Sequence, residues 1–254
     1  MESPEKKAKT GLATVMVVGS GGREMAQAVA LAKSDKVGRV VVCPGNGGTA
    51  SSHPKIENAA IKDTALDELV AFAKAEGASL VAVGPEAPLV IGIADAMAAA
   101  GIPCFGPTKA AAQLENSKAW MKEFFKRHGL PTARYQTFTD FDAAKAHVEA
   151  IDYPVVVKAS GLAGGKGVLI PTSKAETVAA LKTVMVDKAF GAAGDECVVE
   201  EMLEGPECSV LAFCDGKTAV TMPGAQDHKR ALDGDQGLNV SQSSTYFSSM
   251  AILA

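Results

Sequence analysis

The sequence has few aromatic residues, no excess of basic charge and no metal-binding cysteine pattern. Aromatic residues make up 5% of the 254 residues, and the formal net charge is −4. Nucleic-acid-binding surfaces need clustered Lys and Arg, so this composition argues against nucleic acid and favours a small charged metabolite. The five cysteines are odd in number and scattered, without CxxC or Cys/His spacing. This arrangement is typical of reduced core thiols and not of a disulfide frame or a zinc site.

Long apolar runs are also missing. No run approaches the roughly 20 residues that cross a bilayer, and residues 1–13 have no hydrophobic segment of the kind found in secretory signals. We interpret residues 1–13 as a solvated leader and expect a cytoplasmic protein without a membrane partner. An organelle-targeting remnant is the alternative, which the two glutamates of the segment disfavour.

The hydrophobic pattern divides the chain into two regions. From residue 14 to 113, strand-like runs alternate with helical ones, which predicts a doubly wound parallel α/β sheet. From residue 114 to 239, strand hairpins with few helices predict an α+β domain on a mostly antiparallel sheet. Residues 240–254 are serine-rich and have no clear period, so we treat them as a divergent tail.

The first strand of the N-terminal region leads into a glycine-rich loop, Gly19–Glu24. Ligands of such sheets bind beyond the carboxyl ends of the strands. Here Glu24 takes the place of the third glycine of a dinucleotide fingerprint, and no acid follows the second strand, so NAD is disfavoured. Phosphate binding by this loop and a tight turn with only a packing role both remain open.

A second glycine-rich loop lies within KASGLAGGKGVLI, residues 158–170. It is not a Walker A loop, because Gly167 follows Lys166 where Ser or Thr is required, and a strand follows instead of a helix. We predict a β-hairpin whose tip, Gly161–Gly167, closes as a flap over polyphosphate, with Lys158 as a fixed charge at the strand end. A surface hairpin with a solvated lysine is the alternative, and the entropic cost of so many glycines disfavours it.

Two polar clusters follow this loop. Glu200, Glu201 and Glu207 form an exposed rim or, after a phosphate flap, accept hydrogen bonds from an adenine amino group and ribose hydroxyls. Residues 226–230 (QDHKR) are a charged loop or a phosphate or substrate clamp through Lys229 and Arg230. His228 as a general base is the weaker interpretation.

Eight collinear blocks give these features a common explanation. They are VGSGGRE, PGNGGTA, VGPEAPLVIG, FGPTKAAAQLENSK, KASGLAGGKGV, AFGAAG, EEMLEGPECS and AQDHKR. In this order they resemble the ATP-grasp ligases, most closely the glycinamide ribonucleotide synthetase (phosphoribosylamine–glycine ligase) family. PGNGGTA and AQDHKR distinguish that family from other ATP-grasp enzymes such as biotin carboxylase. The resemblance implies a pre-ATP-grasp substrate domain followed by a partial ATP-grasp domain.

The resemblance also implies a reaction in de novo purine biosynthesis. ATP phosphorylates the carboxylate of glycine, and the amine of 5-phosphoribosylamine attacks the glycyl phosphate, which gives glycinamide ribonucleotide, ADP and phosphate. Catalysis is then mostly positioning and charge neutralisation. ATP and Mg²⁺ or Mn²⁺ are the expected cofactors, and phosphoribosylamine and glycine the other small-molecule partners.

Site residues follow from the same resemblance. Those implied to be catalytic are Lys158 and Arg230. Those implied to bind ATP are Lys118, Lys158, Gly161, Gly164, Gly165, Lys166, Gly167, Glu200, Glu201, Met202, Leu203, Glu207, Arg230 and Asn239. Those implied to bind substrate are Gly21, Gly22, Asn46, Glu86, Thr108, Asp227, His228 and Lys229.

The chain departs from the family pattern at two places. Met25 stands where the family usually has histidine, and Leu238 replaces a proline. After Asn239 the family's Pro-Asn-Thr-Gly-Gly-Met-Gly loop is not found. We therefore expect a C-terminally truncated form without metal ligands and with little or no ligase activity. Alternatives are a non-catalytic ATP-binding fragment or isoform, and the N-terminal part of a multifunctional purine enzyme.

Overall fold

Residue contacts divide the chain into two units, Met1–Met121 and Lys122–Ala254. The computed structural model describes residues 11–205, 207–227, 230–232, 236–239 and 245–247, with side-chain surroundings as far as Ala225. The domain boundary expected after residue 113 stays a prediction.

The first unit contains a five-stranded parallel sheet of order β3-β2-β1-β4-β5. Successive residues of β1 enter two different apolar clusters. Val15 and Val17 pack with helix α1 (Gly22–Ala32), and Met16 and Val18 pack with helices α2 (Leu66–Ala75) and α4 (Ile93–Ala99). Both faces of the sheet are therefore covered, which confirms the predicted doubly wound architecture. The strands are β1 Ala13–Gly19, β2 Val37–Pro44, β3 Ile56–Asn58, β4 Leu80–Val83 and β5 Cys104–Phe105.

Two details of this unit differ from the sequence-based expectation. β1 begins at Ala13, so the last residue of the predicted leader belongs to the sheet, while residues 1–10 lie outside the described residues. The small-residue pattern of residues 89–100 predicts one helix, but the structure has two, because Gly92 adopts φ +105° between them. The helices are α1 Gly22–Ala32, α2 Leu66–Ala75, α3 Glu86–Ile91, α4 Ile93–Ala99 and α5 Gln113–Asn116. The next helix, α6 Lys118–His128, begins in the first unit and continues in the second.

The second unit contains a four-stranded antiparallel sheet of order β6-β9-β7-β8. One face packs on helices α7 (Phe141–Ala150) and α8 (Lys174–Met185) around Val157, Leu181 and Val199, which confirms the predicted α+β architecture. The elements are β6 Tyr135–Phe138, α7 Phe141–Ala150, β7 Val155–Ala159, β8 Val168–Leu169, α8 Lys174–Met185 and β9 Cys197–Glu201. A 3₁₀ turn, Gly191–Gly194, precedes β9.

Short strands follow β9 in three antiparallel pairs, β10-β11, β12-β15 and β13-β14. Their bounds are β10 Ala212–Cys214, β11 Ala219–Thr221, β12 Ala225–Asp227, β13 Arg230–Leu232, β14 Gln236–Asn239 and β15 Thr245–Phe247. The predicted tail thus supplies β15, while residues 240–244 and 248–254 lie outside the described residues. Among the described helices, none combines the length and the apolar character needed to cross a membrane.

The five cysteines are all free, as expected, but they do not share one environment. Cys43 and Cys197 are buried and Cys104 is half-buried, whereas Cys208 and Cys214 are exposed. The expectation of core thiols is therefore wrong for the last two. Burial raises the pKa of Cys43 and of Cys197 to about 12, and that of Cys104 to about 11.

Thiol labelling tests this division. With 5,5′-dithiobis(2-nitrobenzoate) at about pH 8, we expect the two exposed thiols to react quickly and the other three only on unfolding. Burial of the neutral thiols stabilises the fold below the ordinary pKa of 9.0, and this contribution is lost as the pH rises toward 12. A Cys208→Ser/Cys214→Ser variant should show no fast thiol; a remaining fast thiol would contradict the burial.

Candidate functional site

In the first unit, the loops that follow β1, β2 and β4 meet at one edge of the sheet. The N–H of Gly45 donates to the carbonyl of Gly19 at 3.1 Å, and the N–H of Gly84 donates to the carbonyl of Val18 at 3.0 Å. Because parallel strands end at the same edge, these backbone bonds bring together the loops in which a ligand site was predicted.

Glu24 fills the space at the N-terminus of α1. Its side chain is buried, with the residue 3% exposed, and its carboxylate accepts hydrogen bonds from Gly21 N at 2.6 Å and Arg23 Nε at 2.9 Å. A Cβ atom on Gly84 would lie only 1.9 Å from Glu24 Oε1, so the carboxylate and this glycine are closely packed. The helix terminus that holds a phosphate in dinucleotide folds is capped here by the chain itself, which favours the tight-turn interpretation of the loop.

Several predicted substrate residues converge on this edge. Asn46 Nδ2 donates to the Ser20 carbonyl at 2.8 Å, and Arg23 Nη1 donates to Glu86 Oε1 at 3.2 Å. Thr108 follows β5 at the same edge, and its hydroxyl accepts a hydrogen bond from Ala111 N at 3.3 Å. The sequence analysis missed Arg23, although its position inside the first motif was a signal.

In the second unit, β7 and β8 form the predicted hairpin, with Lys158 paired to Val168. The N–H of Lys166 donates to the carbonyl of Ala163 at 3.0 Å, and Gly164 and Gly165 have φ values of +56° and +77°. Two successive left-handed residues define a type I′ turn, which glycine adopts at little cost. The exposed side chain of Lys166 lies at the tip of the flap, Gly161–Gly167.

The base of the flap is anchored to the 3₁₀ turn. Gly161 N donates to the Ala193 carbonyl at 3.1 Å, and Ser160 N donates to the Glu196 carbonyl at 2.9 Å. Next to Ala193, Gly194 approaches α8 so closely that a Cβ atom would lie 2.3 Å from the Val184 carbonyl oxygen. The AFGAAG block therefore has a structural role as the support of the flap.

Two lysines share one glutamate on the sheet face opposite α7 and α8. Glu200 Oε1 lies 2.7 Å from Lys122 Nζ, and Glu200 Oε2 lies 2.6 Å from Lys158 Nζ as an ion pair without hydrogen-bond alignment. The exposed fractions of these side chains are 2% for Lys122, 12% for Glu200 and 26% for Lys158. We call these three residues the Lys122–Glu200–Lys158 chain. The three side chains extend from the buried Lys122 to the more exposed Lys158 near the base of the flap.

Lys122 was missed by the sequence analysis. Its ammonium group also donates to Thr132 Oγ1 and lies 5.3 Å from the Tyr135 ring centroid, and the Tyr135 hydroxyl donates to the Lys122 carbonyl at 3.0 Å. A signal was present, because Lys122 falls three residues after buried Ala119 on α6. Lys118, the predicted phosphate ligand, begins the same helix but belongs to the first contact unit.

The carboxylate of Glu201 is already engaged. Arg134 donates to it through Nε at 2.9 Å and Nη2 at 2.7 Å, and the guanidinium lies 4.0 Å from the Tyr153 ring centroid. Hydrogen bonds from Arg134 lower the pKa of Glu201, so this pair stabilises the fold above the unfolded-state carboxyl pKa and loses its effect as the pH falls. Of the neighbouring candidates, Met202 N donates to the Pro154 carbonyl at 2.9 Å, while Leu203 is 69% exposed and Glu207 is exposed.

The last predicted residues lie on the short strands. Arg230 and Asn239 face each other directly in the register of β13 and β14, and Asp227 ends β12. Backbone pairing thus brings together the two residues implied to contact nucleotide. His228 and Lys229 lie outside the described residues.

Family models cover nearly all of the chain. Residues 13–115 match the phosphoribosylglycinamide synthetase N domain, and residues 116–249 match the phosphoribosylglycinamide synthetase ATP-grasp (A) domain. The chain belongs to the phosphoribosylglycinamide synthetase family. This confirms the family resemblance drawn from the eight sequence blocks.

Individual members of the phosphoribosylglycinamide synthetase family are similar over most of this chain. Phosphoribosylamine–glycine ligase of Caulobacter vibrioides is 51% identical over 233 residues, which are 92% of this chain and 54% of that protein. The human trifunctional purine biosynthetic protein adenosine-3 is 51% identical over 235 residues, 92% of this chain and 23% of that protein. The crystal structure of the Thermotoga maritima phosphoribosylamine–glycine ligase superposes with a TM-score of 0.75 at 31% identity, covering 89% of this chain and 53% of that one. The chain spans about half the length of the single ligases that it matches.

A cavity of about 420 Å³ lies away from the Lys122–Glu200–Lys158 chain, near the end of α7 and the start of α8. Asp152, Tyr153, Ser173 and Met202 are among its lining residues. Within the part of the chain that the structure describes, no three His, Cys, Asp or Glu side chains cluster as a metal site.

Proposed function

We propose that the chain contributes the substrate and nucleotide-binding parts of an ATP-dependent carbon–nitrogen ligase of purine biosynthesis. The reaction joins glycine to 5-phosphoribosylamine through glycyl phosphate and releases glycinamide ribonucleotide, ADP and phosphate. Membership of the phosphoribosylglycinamide synthetase family supports the proposal, as do the ligase names of relatives that are about half identical.

A single observation carries the nucleotide half of the proposal: the glycine-rich flap begins two residues after the end of β7, the strand of Lys158, and Lys158 pairs with Glu200 on the neighbouring strand β9. When bound, ATP supplies the phosphoryl group that activates a carboxylate. The flap backbone and Lys166 neutralise its phosphate oxygens, and Lys158 adds a charge held by a rigid strand. Glu200, Met202, Leu203 and Glu207 hold the nucleoside, and Glu201 contributes without its carboxylate, which Arg134 occupies. Lys118, Arg230 and Asn239 complete the nucleotide contacts on motif grounds. Arg230 and Lys158 are the proposed catalytic residues.

We assign the recognition of the other substrate, phosphoribosylamine, to the sheet edge of the first unit. Asn46 and Glu86 project from loops whose backbones are joined there, which supports this assignment. The N–H of Gly21 is already bound by Glu24, so Gly22, Asn46, Glu86 and Thr108 carry more of the proposed recognition than Gly21 does. Asp227, His228 and Lys229 are assigned to substrate from the AQDHKR motif alone.

We assign no residues to the metal ion expected for the family. The described residues do not offer a cluster that fits Mg²⁺ or Mn²⁺, so no step is assigned to a metal ion. The sequence departs from the family pattern at Leu238 and after Asn239. For this reason we propose that these 254 residues bind ATP without sustaining turnover.

A second candidate is the same module as part of a multifunctional purine enzyme. The human trifunctional protein supports it, because the chain matches 23% of that protein at 51% identity. We also propose a cytoplasmic location and small molecules as the only partners. The five free cysteines support a reducing compartment.

Calorimetry with ATP on the 254-residue chain tests this function. We expect saturable binding of ATP with a dissociation constant in the micromolar to millimolar range, and no comparable binding of NAD, since Glu24 occupies the α1 terminus. A glycinamide ribonucleotide assay on the same sample is expected to give no measurable product. Absence of ATP binding by folded protein would contradict the nucleotide site, and turnover at the rate of a full-length relative would contradict the expected lack of activity.

A further inference from the structure

Lys122 places an ammonium group in an almost fully buried position, since only 2% of its side chain is exposed. None of the nucleotide contacts proposed above uses it. Burial of an ammonium group is costly unless it is paired and hydrogen-bonded, and Lys122 has both Glu200 Oε1 at 2.7 Å and the Thr132 hydroxyl. The side chains around Lys122 are therefore suited to hold a cation.

Glu200 connects the buried ammonium group of Lys122 to the proposed nucleotide site. Its two oxygens face different lysines, Lys122 on the inner side and Lys158 on the more exposed side. A lysine that binds a phosphate must leave or share its resting carboxylate partner. If Lys158 were the single partner of Glu200, its transfer to a phosphate would leave a carboxylate that is 12% exposed without a counter-ion.

We propose that Lys122 is a positioning residue, the permanent counter-ion of Glu200 that releases Lys158 for contact with the nucleotide phosphates. It acts through Glu200 and does not touch the nucleotide. The inference rests on the proposed function, because it requires that Lys158 binds phosphate. It adds a residue outside the motif-derived ATP ligands and assigns it an electrostatic role.

A double-mutant cycle in ATP affinity tests the role of Lys122. We expect Lys122→Met to raise the dissociation constant of ATP by about tenfold, because Glu200 then holds Lys158 as its single counter-ion. Adding Glu200→Gln to this variant should restore much of the affinity, because the neutral amide no longer retains Lys158, while its carbonyl oxygen still accepts hydrogen bonds from the nucleoside. A purely structural role of Lys122 predicts no such recovery. Calorimetry on the complete 254-residue chain gives all four constants of the cycle.

Two further variants make the outcome decisive. Thr132→Val removes only the neutral partner of Lys122 and is expected to change ATP affinity by less than about twofold. If Lys122→Met lacks a cooperative thermal transition, Lys122→Gln, which keeps a hydrogen-bonding group, carries the same expectation. Unchanged affinity in the folded Lys122 variant, or no recovery in the double variant, would overturn the inference alone. Failure of the parent chain to bind ATP would overturn the proposed function and this inference with it.

Discussion

Replacement of Lys158 by alanine is expected to weaken ATP binding by about a hundredfold while the protein remains folded. The affinity falls because the variant loses a strand-held ammonium group beside the flap. The fold survives because Lys158 is the most exposed member of its ion-pair chain, and Glu200 keeps Lys122 at 2.7 Å. Calorimetric titration with ATP and a thermal melt of the same sample measure the two effects separately.

Lys145→Ala is the matched control for this prediction. Lys145 is a solvent-exposed lysine of α7 whose partner, Glu149, lies 3.9 Å away one helical turn later. Surface pairs of this kind contribute little, so both ATP affinity and thermal stability should stay close to those of the parent chain. Equal ATP affinity of the Lys158 and Lys145 variants would show that the strand lysine does not contact the nucleotide.

Substitution of Gly194 by alanine is expected to destabilise the second unit by about 3 kcal/mol. The new methyl group would lie 2.3 Å from the Val184 carbonyl oxygen, and this obstacle is helix backbone at a buried residue, not the end of a flexible side chain. The 3₁₀ turn must therefore move away from α8. The midpoint of denaturant unfolding, followed by circular dichroism, measures the loss.

A second glycine of the same turn provides the comparison. Gly191 has φ +57° and no atom within 4 Å of an added Cβ, so Gly191→Ala carries only the strain of a left-handed residue, about 1 kcal/mol. The unfolding midpoint should fall much less for Gly191→Ala than for Gly194→Ala. The reverse order would mean that the close approach between the turn and α8 is wrong.

Local patterns in the sequence predicted most of the helices and strands. The β1–α1 unit, the β7–β8 hairpin and α8 follow from apolar periodicity and from residues that cap or turn the chain, such as Ser173, whose side chain accepts from Glu176 N. β3 was missed because its three residues carry too short a pattern to distinguish a strand from a loop. The break between α3 and α4 was missed because a single glycine inside a small-residue helix does not show its backbone angle.

The candidate site was predicted less completely, for a physical reason. The flap is a local feature, with its glycines and lysine adjacent in sequence, so spacing alone revealed it. The Lys122–Glu200 pair joins residues 78 positions apart, and no local pattern encodes such a contact. The same limitation applies to Arg134, whose bond to Glu201 spans 67 positions and occupies a carboxylate that had been assigned to the nucleoside. Site residues that lie in one segment could be predicted from the sequence. Contacts between residues far apart in the sequence could be identified only from the fold.

The buried carboxylate of Glu24 has a consequence for how this architecture selects its ligands. In a parallel sheet of this topology the start of the first helix attracts anions, and in this chain the buried side chain of Glu24 already binds one N–H donor there, that of Gly21. An incoming anion meets the carboxylate of Glu24, which is paired with Arg23, in place of the N–H of Gly21. The phosphate of a ligand at this edge must therefore be held without the N–H of Gly21. Glu24 thus shifts the recognition of an anion at this edge from the helix terminus toward the adjacent loops.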